Sequence, residues 1–373
     1  MTVLLFDLKQ WTIGLEEEYT KQFPQVSFVY LPITKSHFYS WLTSSLLNSF
    51  AKKADKIFRS SLFIAALASD KRSYVLHQKL RQLNLNSVDL VIAHNLGALY
   101  PAYQFAKQYQ IPFGFDVEDF HPGEVIKVDA VKEIIRRTVL MKQLLLKANY
   151  VTAASPLIAE EVKRLCNVPV ITVNNSFYSS EFRSASSKLS NEKVNLVWFS
   201  QNINFGRGLE LLLPALDIFS YKVNLTLIGN LNPEFAETYL TGRNYVVIKA
   251  PLSQKDLHQM LSDYDIGLAL EISTTDLNKD IALSNKIFAY KQAGLYILAT
   301  DTKAQLAFMA SYKDDGIVTE QNVQALVTII EFILGNIESI RASKQKRFDQ
   351  ARGIAFETEA QKLVTLWERA LQK

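Results

Sequence analysis

Short, nearly continuous apolar runs alternate with longer stretches of helical period along the whole chain. In the first half the runs fall at residues 2–6, 27–31, 89–93, 112–115, 150–153 and 170–173. Runs without polar alternation suit strands buried on both faces of a parallel sheet. The stretches between them, at 36–59, 96–108, 128–147 and 156–165, space their apolar residues as helices do. The last of these opens on Ser155-Pro156, a capping residue followed by proline at the first helical position.

Residues 176–193, SFYSSEFRSASSKLSNEK, interrupt this pattern with a polar, Ser-rich stretch that reads as a linker. Alternation then resumes, with strands expected at 194–199, 223–228, 245–248, 266–270 and 295–299. Helices are expected at 209–219, 253–262, 285–292 and 322–334, the first with a kink or delayed start at Pro214. Strands alternating with helices on both sides of a linker predict two doubly wound α/β domains. Their expected bounds are 1–175 and 194–352, with 353–373 closing the chain.

Composition narrows the class. At 373 residues the chain exceeds one ordinary core, and 48% hydrophobic against 21% charged residues excludes a disordered or fibrous protein. A net charge of +4, with no base-stacking aromatic platform, argues against nucleic acid as partner. The single cysteine, Cys166, excludes an internal disulfide and a multi-cysteine metal site. No apolar run approaches the roughly 18 residues of a membrane span. The start MTVLLFDLKQW lacks a signal-peptide layout, so a cytoplasmic protein is expected. Residues 2–6 lead into Asp7-Leu8-Lys9-Gln10 and not into G-x-G-x-x-G, which disfavours a dinucleotide-dependent dehydrogenase.

Ligands of open α/β sheets bind beyond the carboxyl ends of the strands, and four such places stand out. After 194–199 comes Ser200-Gln201-Asn202-Ile203-Asn204-Phe205-Gly206-Arg207-Gly208, where small residues flank an arginine at a helix start. Free amides and a cation together suit a phosphate, though a plain connecting loop has the same spacing. Ser284-Asn285-Lys286 opens a second such helix, which ends at Gly294. Taken with Gly206, Arg207 and Gly208, it forms a candidate diphosphate clamp. In the first half, Asp116, Glu118, Asp119, His121 and Glu124 crowd the end of one strand, suiting acid/base or sugar-binding work; a solvated, capping loop is the alternative. The fourth place is Glu271, a carboxylate able to bind ribose or sugar hydroxyls, or a surface residue. Asp263-Tyr264-Asp265 precedes a strand, on the wrong sheet edge for a metal, and reads as structural.

These residues resemble a glycosyltransferase of the GT-B fold, and most of all the large retaining family 4. LVWFSQNINFGRGLELLLPAL resembles that family's strand, Gly-rich loop and helix at the donor diphosphate. ALSNKIFAYKQAGLYILATD resembles its NKIFEYMAAGLPVIATD-like segment, and LSDYDIGLALE its late strand. DLVIAHNLGALYPAYQFAKQYQIPFGFDVEDFHPGE is similar to its I-H-A-H … D-x-H-E stretch, and VTAASPLIAEEVKRLCNVPVITVNNS to the unit closing the first domain. The resemblance implies two Rossmann-like domains facing a cleft, an acceptor domain first and a nucleotide-sugar domain second, with the C-terminal helix crossing back. It implies retaining transfer from a nucleotide-diphosphate sugar, with no cofactor and no obligatory metal. Departures mark a divergent subfamily. The family's E-x7-E positions hold Ile281 and Ala289, Glu118 stands at the D-x-H-E histidine, Gln201 replaces an arginine, and Arg207 replaces a lysine.

Arg207, Lys286 and the amides near Gly206–Gly208 and Ser284–Lys286 are therefore expected to meet the leaving diphosphate. Glu118, with Asp116 and His121, is expected to act on donor-sugar hydroxyls or the acceptor, a saccharide or lipid-linked saccharide in surface polysaccharide or glycan assembly. A sugar-nucleotide-binding protein without transferase activity is the alternative, because the E-x7-E pair is absent. Residues 34–83 carry nine Lys/Arg against two Asp, interleaved with aromatics. That stretch suits peripheral contact with the inner face of a membrane, or equally two helices that bury their aromatics and solvate their charges.

Overall fold

The computed structural model describes residues 1–7, 20–21, 23–55, 57–58, 61–83, 88–184, 192–272 and 276–372. Residues 185–191 of the expected linker, and Lys56 and Arg59 of the basic stretch, lie outside the described residues. The chain forms two compact units, Met1–Thr172 with Val364–Lys373, and Val173–Leu363.

In the first unit, β1 (Thr2–Asp7) pairs in parallel with β2 (Ser27–Pro32). Helices α1 (Phe38–Ala54), α2 (Leu62–Ser69) and α3 (Arg72–Gln82) follow. Then β3 (Val91–His94), α4 (Leu96–Tyr109), β4 (Phe113–Val117), α5 (Ala130–Leu144), β5 (Tyr150–Ala153), α6 (Pro156–Cys166) and β6 (Val170–Thr172) build a parallel four-stranded sheet in sequence order. Its central strands are buried on both faces, as their continuous hydrophobicity requires. Ser155 caps α6 by accepting the Ile158 amide at 3.1 Å. Gly114 on β4 is where Tyr150 crosses: a Cβ there would lie 2.1 Å from the Tyr150 ring.

The second unit runs β7 (Val194–Ile203), α7 (Leu209–Asp217), β8 (Val223–Leu231), α8 (Pro233–Tyr239), β9 (Val246–Lys249), α9 (Gln254–Leu261) and β10 (Ile266–Ala269). It continues through α10 (Leu277–Ile281), α11 (Asn285–Gln292), β11 (Tyr296–Thr300), α12 (Lys303–Ser311) and β12 (Gly316–Thr319). Helices α13 (Val323–Gly335), α14 (Ile337–Ala342), α15 (Lys344–Gln350) and α16 (Phe356–Leu371) close the chain. The parallel sheet has the order β12-β11-β10-β7-β8-β9. Progression therefore reverses between β7 and β10, the topological switch where such sheets open a crevice. Trp198, Leu212, Leu216 and Leu227 are fully buried in the core between α7, α13 and the sheet.

Three expectations are corrected here. Strand β7 does not end at 199 but runs through a bulge to Ile203, so the loop before α7 is only Asn204 to Gly208. Helix α7 runs through Pro214 from its expected start. Residues 176–184, expected within a linker, are fastened to the second unit. Gln292 bonds the Phe177 backbone in both directions at 2.9 and 2.7 Å, Arg183 pairs with Asp263 at 2.9 Å, and Glu181 meets buried His258 at 2.7 Å. The C-terminal helix is shared: Glu359 near its start accepts from Asn174 at 2.9 Å, whereas Leu366 and Ala370 pack on Tyr150 in the first unit.

Candidate nucleotide and sugar site

The switch point of the second unit gathers the expected clamp residues. Gly206 and Gly208 have φ of +72° and +82°, a left-handed conformation that glycine adopts without strain. Gly208 is needed for space as well, because a Cβ there would lie 2.9 Å from the Leu270 Cβ. That close approach sets the loop against the carboxyl end of β10. The Gly206 amide is turned inward, donating to Glu210. The amides of Arg207 and Gly208 meet no acceptor among the described residues, and the exposed Arg207 side chain has no ion-pair partner among them.

The next residue after Leu270 is Glu271, whose backbone is held at both ends by Thr300 of β11. Its amide donates to Thr300 Oγ1 at 2.9 Å, and Thr300 Oγ1 donates to its carbonyl at 2.8 Å. Its carboxylate accepts from Lys286 Nζ at 2.9 Å, both side chains being largely buried. Lys286 Nζ also lies 5.8 Å from the centre of the Trp198 ring. The fold makes Lys286, expected at the diphosphate, and Glu271, expected at ribose or sugar hydroxyls, an ion pair. Ser284 occupies the N-cap position of α11 but makes no capping bond, and its Oγ is buried without a partner. The amides of Asn285 and Lys286 meet no acceptor among the described residues. Ile281 and Ala289, where the E-x7-E carboxylates were sought, are buried and apolar. Asp265, read as structural, accepts from Arg341 at 3.0 Å through each oxygen and from the Asn195 amide at 2.9 Å.

Two helix N-termini, α7 and α11, therefore meet the ends of adjacent strands β7 and β10 through Gly208–Leu270 and Glu271–Lys286. Free amides, positive helix ends and an exposed guanidinium are features that suit an anion.

In the first unit the carboxylates lie with a histidine that sequence reasoning did not single out. Strands β3 and β4 pair His94 opposite Asp116. His94 Nδ1 lies 3.2 Å from Asp116 Oδ2 and 3.4 Å from Glu118 Oε1. Hydrogen bonds to Asp116 and then Glu118 raise the imidazole pKa to about 10, against the opposing effect of burial. Thr152 Oγ1 orients Asp116 by donating to its other oxygen at 2.7 Å. The three ligand atoms lie within 4.8 Å of one another, a set able to hold a divalent cation in place of the imidazolium proton. The available signal was a polar residue ending each of two consecutive strands.

His121, expected beside Asp116 in the chemistry, has a different employment. Its Nε2 accepts the Leu96 amide at 3.1 Å, capping α4, and its Nδ1 donates to Glu124 at 2.8 Å. Both ring nitrogens are taken, which fixes the tautomer. Arg137 binds the His121 carbonyl at 3.0 Å and Glu124 at 2.5 Å; burial pushes the Glu124 carboxyl up, but the hydrogen bond from His121 and then the charge of Arg137 together hold it below its ordinary pKa. His121 is a support of the turn that carries Glu118.

No protein-family model matches the sequence, and no curated protein sequence does either. Solved structures do match. Anabaena Alr3699/HepE in complex with UDP and glucose has a TM-score of 0.66 at 13% identity, over 97% of this chain and 98% of that one. A glycosyltransferase from Rickettsia africae has 0.64 at 12%, over 100% and 99%. Sucrose-phosphate synthase from Thermosynechococcus elongatus has 0.64 at 13%, over 80% and 78%. At such identities the likeness is one of architecture, and it shows that this chain has the two-Rossmann GT-B fold.

Proposed function

We propose that this protein is a glycosyltransferase that moves a sugar, a hexose in the simplest case, from a nucleotide-diphosphate sugar to a saccharide or lipid-linked saccharide acceptor. The observation that carries the reading is the pair of helix N-termini at the β7/β10 switch, with Arg207 unpaired among the described residues beside them. Anabaena HepE, of the same fold, binds UDP and glucose.

In this reading the diphosphate sits on the amides of Arg207, Gly208, Asn285 and Lys286, and Arg207 folds over it. Departure of the nucleotide places negative charge on the leaving phosphate while the sugar gains oxocarbenium character. Arg207, Lys286 and the two helix ends lower that barrier, so transfer proceeds without a metal. Glu271, held by Thr300, keeps Lys286 aligned until the diphosphate competes for it. Glu118 and Asp116 take the sugar hydroxyls or the acceptor, with retention at the anomeric carbon and a role in surface polysaccharide or glycan assembly.

The test begins with nucleoside diphosphates screened for thermal stabilisation, followed by hydrolysis and transfer assays on the matching nucleotide sugar. Arg207→Ala should weaken binding of the selected diphosphate by about 10- to 100-fold, the worth of one charge-assisted contact. Equal affinity of variant and wild type would remove the clamp. Tight binding with no release of diphosphate from any nucleotide sugar would favour the binding-only alternative.

A further inference from the structure

Helix α1 leaves more of its large apolar residues exposed than a helix that only covers a sheet. Its fully buried positions are small, Ser44 and Ala51, with Trp41 and Leu47 partly buried beside them, and Asn48 donates to the carbonyls of Leu67 and Ala68 at 2.6 and 3.0 Å. Four of its large apolar residues, Phe38, Tyr39, Leu46 and Phe50, are exposed. Tyr39, Leu46 and Phe50, at i, i+7 and i+11, form one stripe and are 83%, 49% and 65% exposed. Ile57 and Phe58, just past the helix, are also exposed, at 77% and 56%. The alternative in which the aromatics of this stretch are buried does not hold for Tyr39, Phe50 and Phe58, whereas Trp41 is partly buried. An exposed apolar stripe of this extent is uncommon on a surface that faces only water.

The charges of the helix itself have one sign, and the carboxylate of Asp7 lies 3.8 Å from His37 at its start. Residues 34–54 contain no Asp or Glu. Lys52 and Lys53 occupy the last turn of α1, and Lys35 and Lys71 lie 5.6 and 5.7 Å from the Trp41 ring. The two aspartates of the wider segment are engaged: Asp55 accepts from Arg136 at 2.9 Å and Asp70 from Arg72 at 2.8 Å. A protein partner's interface core is depleted of lysine and its rim matches both signs of charge. Aromatic and aliphatic side chains flanked by lysines alone fit the headgroup region of an anionic bilayer.

We infer that the outward face of α1, from Lys35 to Phe58, is a docking surface for an anionic lipid membrane. Tyr39, Leu46 and Phe50 enter the interface, and Lys35, Lys52, Lys53 and Lys71 meet lipid phosphates. The surface lies away from His94, Asp116 and Glu118 in the sequence, and it stands or falls independently of the sugar-transfer reading.

The test is co-sedimentation of the full chain with phosphatidylglycerol-containing and pure phosphatidylcholine vesicles, at low and high salt. Wild type should bind the anionic vesicles at low salt and be released by high salt. Tyr39→Ser/Leu46→Ser/Phe50→Ser and, separately, Lys52→Glu/Lys53→Glu should each reduce binding about tenfold or more, with unchanged melting and nucleotide binding. The charge reversal changes exposed side chains only, so the question stays answerable if the triple variant misfolds. Equal recovery with both lipids, or wild-type binding by the charge-reversed variant, would overturn the assignment. A wild-type dimer that the serine variant converts to monomer in light scattering would also overturn it, since the stripe would then be a self-association face.

Discussion

Two carboxylates hold the His94 ring as an imidazolium, and that sets a sign for its pH dependence. The folded-state pKa is raised to about 10 from an ordinary 6.5, first by the hydrogen bond to Asp116 and then by that to Glu118. The folded protein therefore keeps this proton where the unfolded chain would lose it. The resulting stabilisation is complete below about pH 6.5 and is lost as pH rises toward 10. The ring is half exposed, so water screens the pair and the effect is modest. Urea denaturation of wild type across that window should show declining stability, and His94→Gln should flatten the decline. A decline of equal size in the variant would assign it to other groups. At the same scale, Asp116 and Glu118 were legible because they end a strand, whereas His94 was not, because its partners are set by sheet register and not by nearness in sequence. His121 misled for the converse reason: it is close to Glu118 along the chain, but its ring nitrogens are spent on Leu96 and Glu124.

Elements with an apolar run, a helical period or a cap signal were readable from the chain, and those without were not. The strands β4, β5 and β10 announce themselves by nearly continuous hydrophobicity, β8 by apolar residues around Asn224 and Thr226, and α11 by Ser284 before it and Gly294 after it. Helix α10 has five residues, too few to show a helical period, and β12 opens on Gly316 with only Ile317 and Val318 apolar. The extension of β7 past Phe199 also escaped, because its last residues are polar and become strand only by pairing with Asn230 and Leu231 of β8. The consequence falls on α11. Lys286 on its first turn is tied to Glu271 at 2.9 Å, so a bound diphosphate must compete with a carboxylate for that ammonium. Glu271→Gln should therefore tighten binding of the nucleoside diphosphate several-fold, while Lys286→Ala should weaken it about tenfold. Calorimetric titration of both variants checks the pair. Weaker binding by Glu271→Gln would mean that the carboxylate itself touches the nucleotide.

At the scale of the whole molecule, each unit has a core of its own, and the last helix belongs to both. Its opening turns bind the second unit through Glu357, which accepts from Ser179 at 2.8 Å, and Glu359, which accepts from Asn174 at 2.9 Å. Its closing turns serve the first, where Leu366 and Ala370 pack on Tyr150 and Trp367 Nε1 donates to the Tyr150 hydroxyl at 2.9 Å. Leu366 is buried, so Leu366→Ala should cost the first unit about 3 kcal/mol through lost packing and the cavity left behind. The amides and cations assigned to the diphosphate are all in the second unit, so a bound nucleotide stabilises that unit alone, as its affinity and concentration dictate. Scanning calorimetry should accordingly resolve two transitions. One should fall in Leu366→Ala and ignore nucleotide, and the other should rise with nucleotide and ignore the substitution. If one transition moved under both treatments, the two cores would be melting as a single cooperative body, and the shared helix would be the element coupling them.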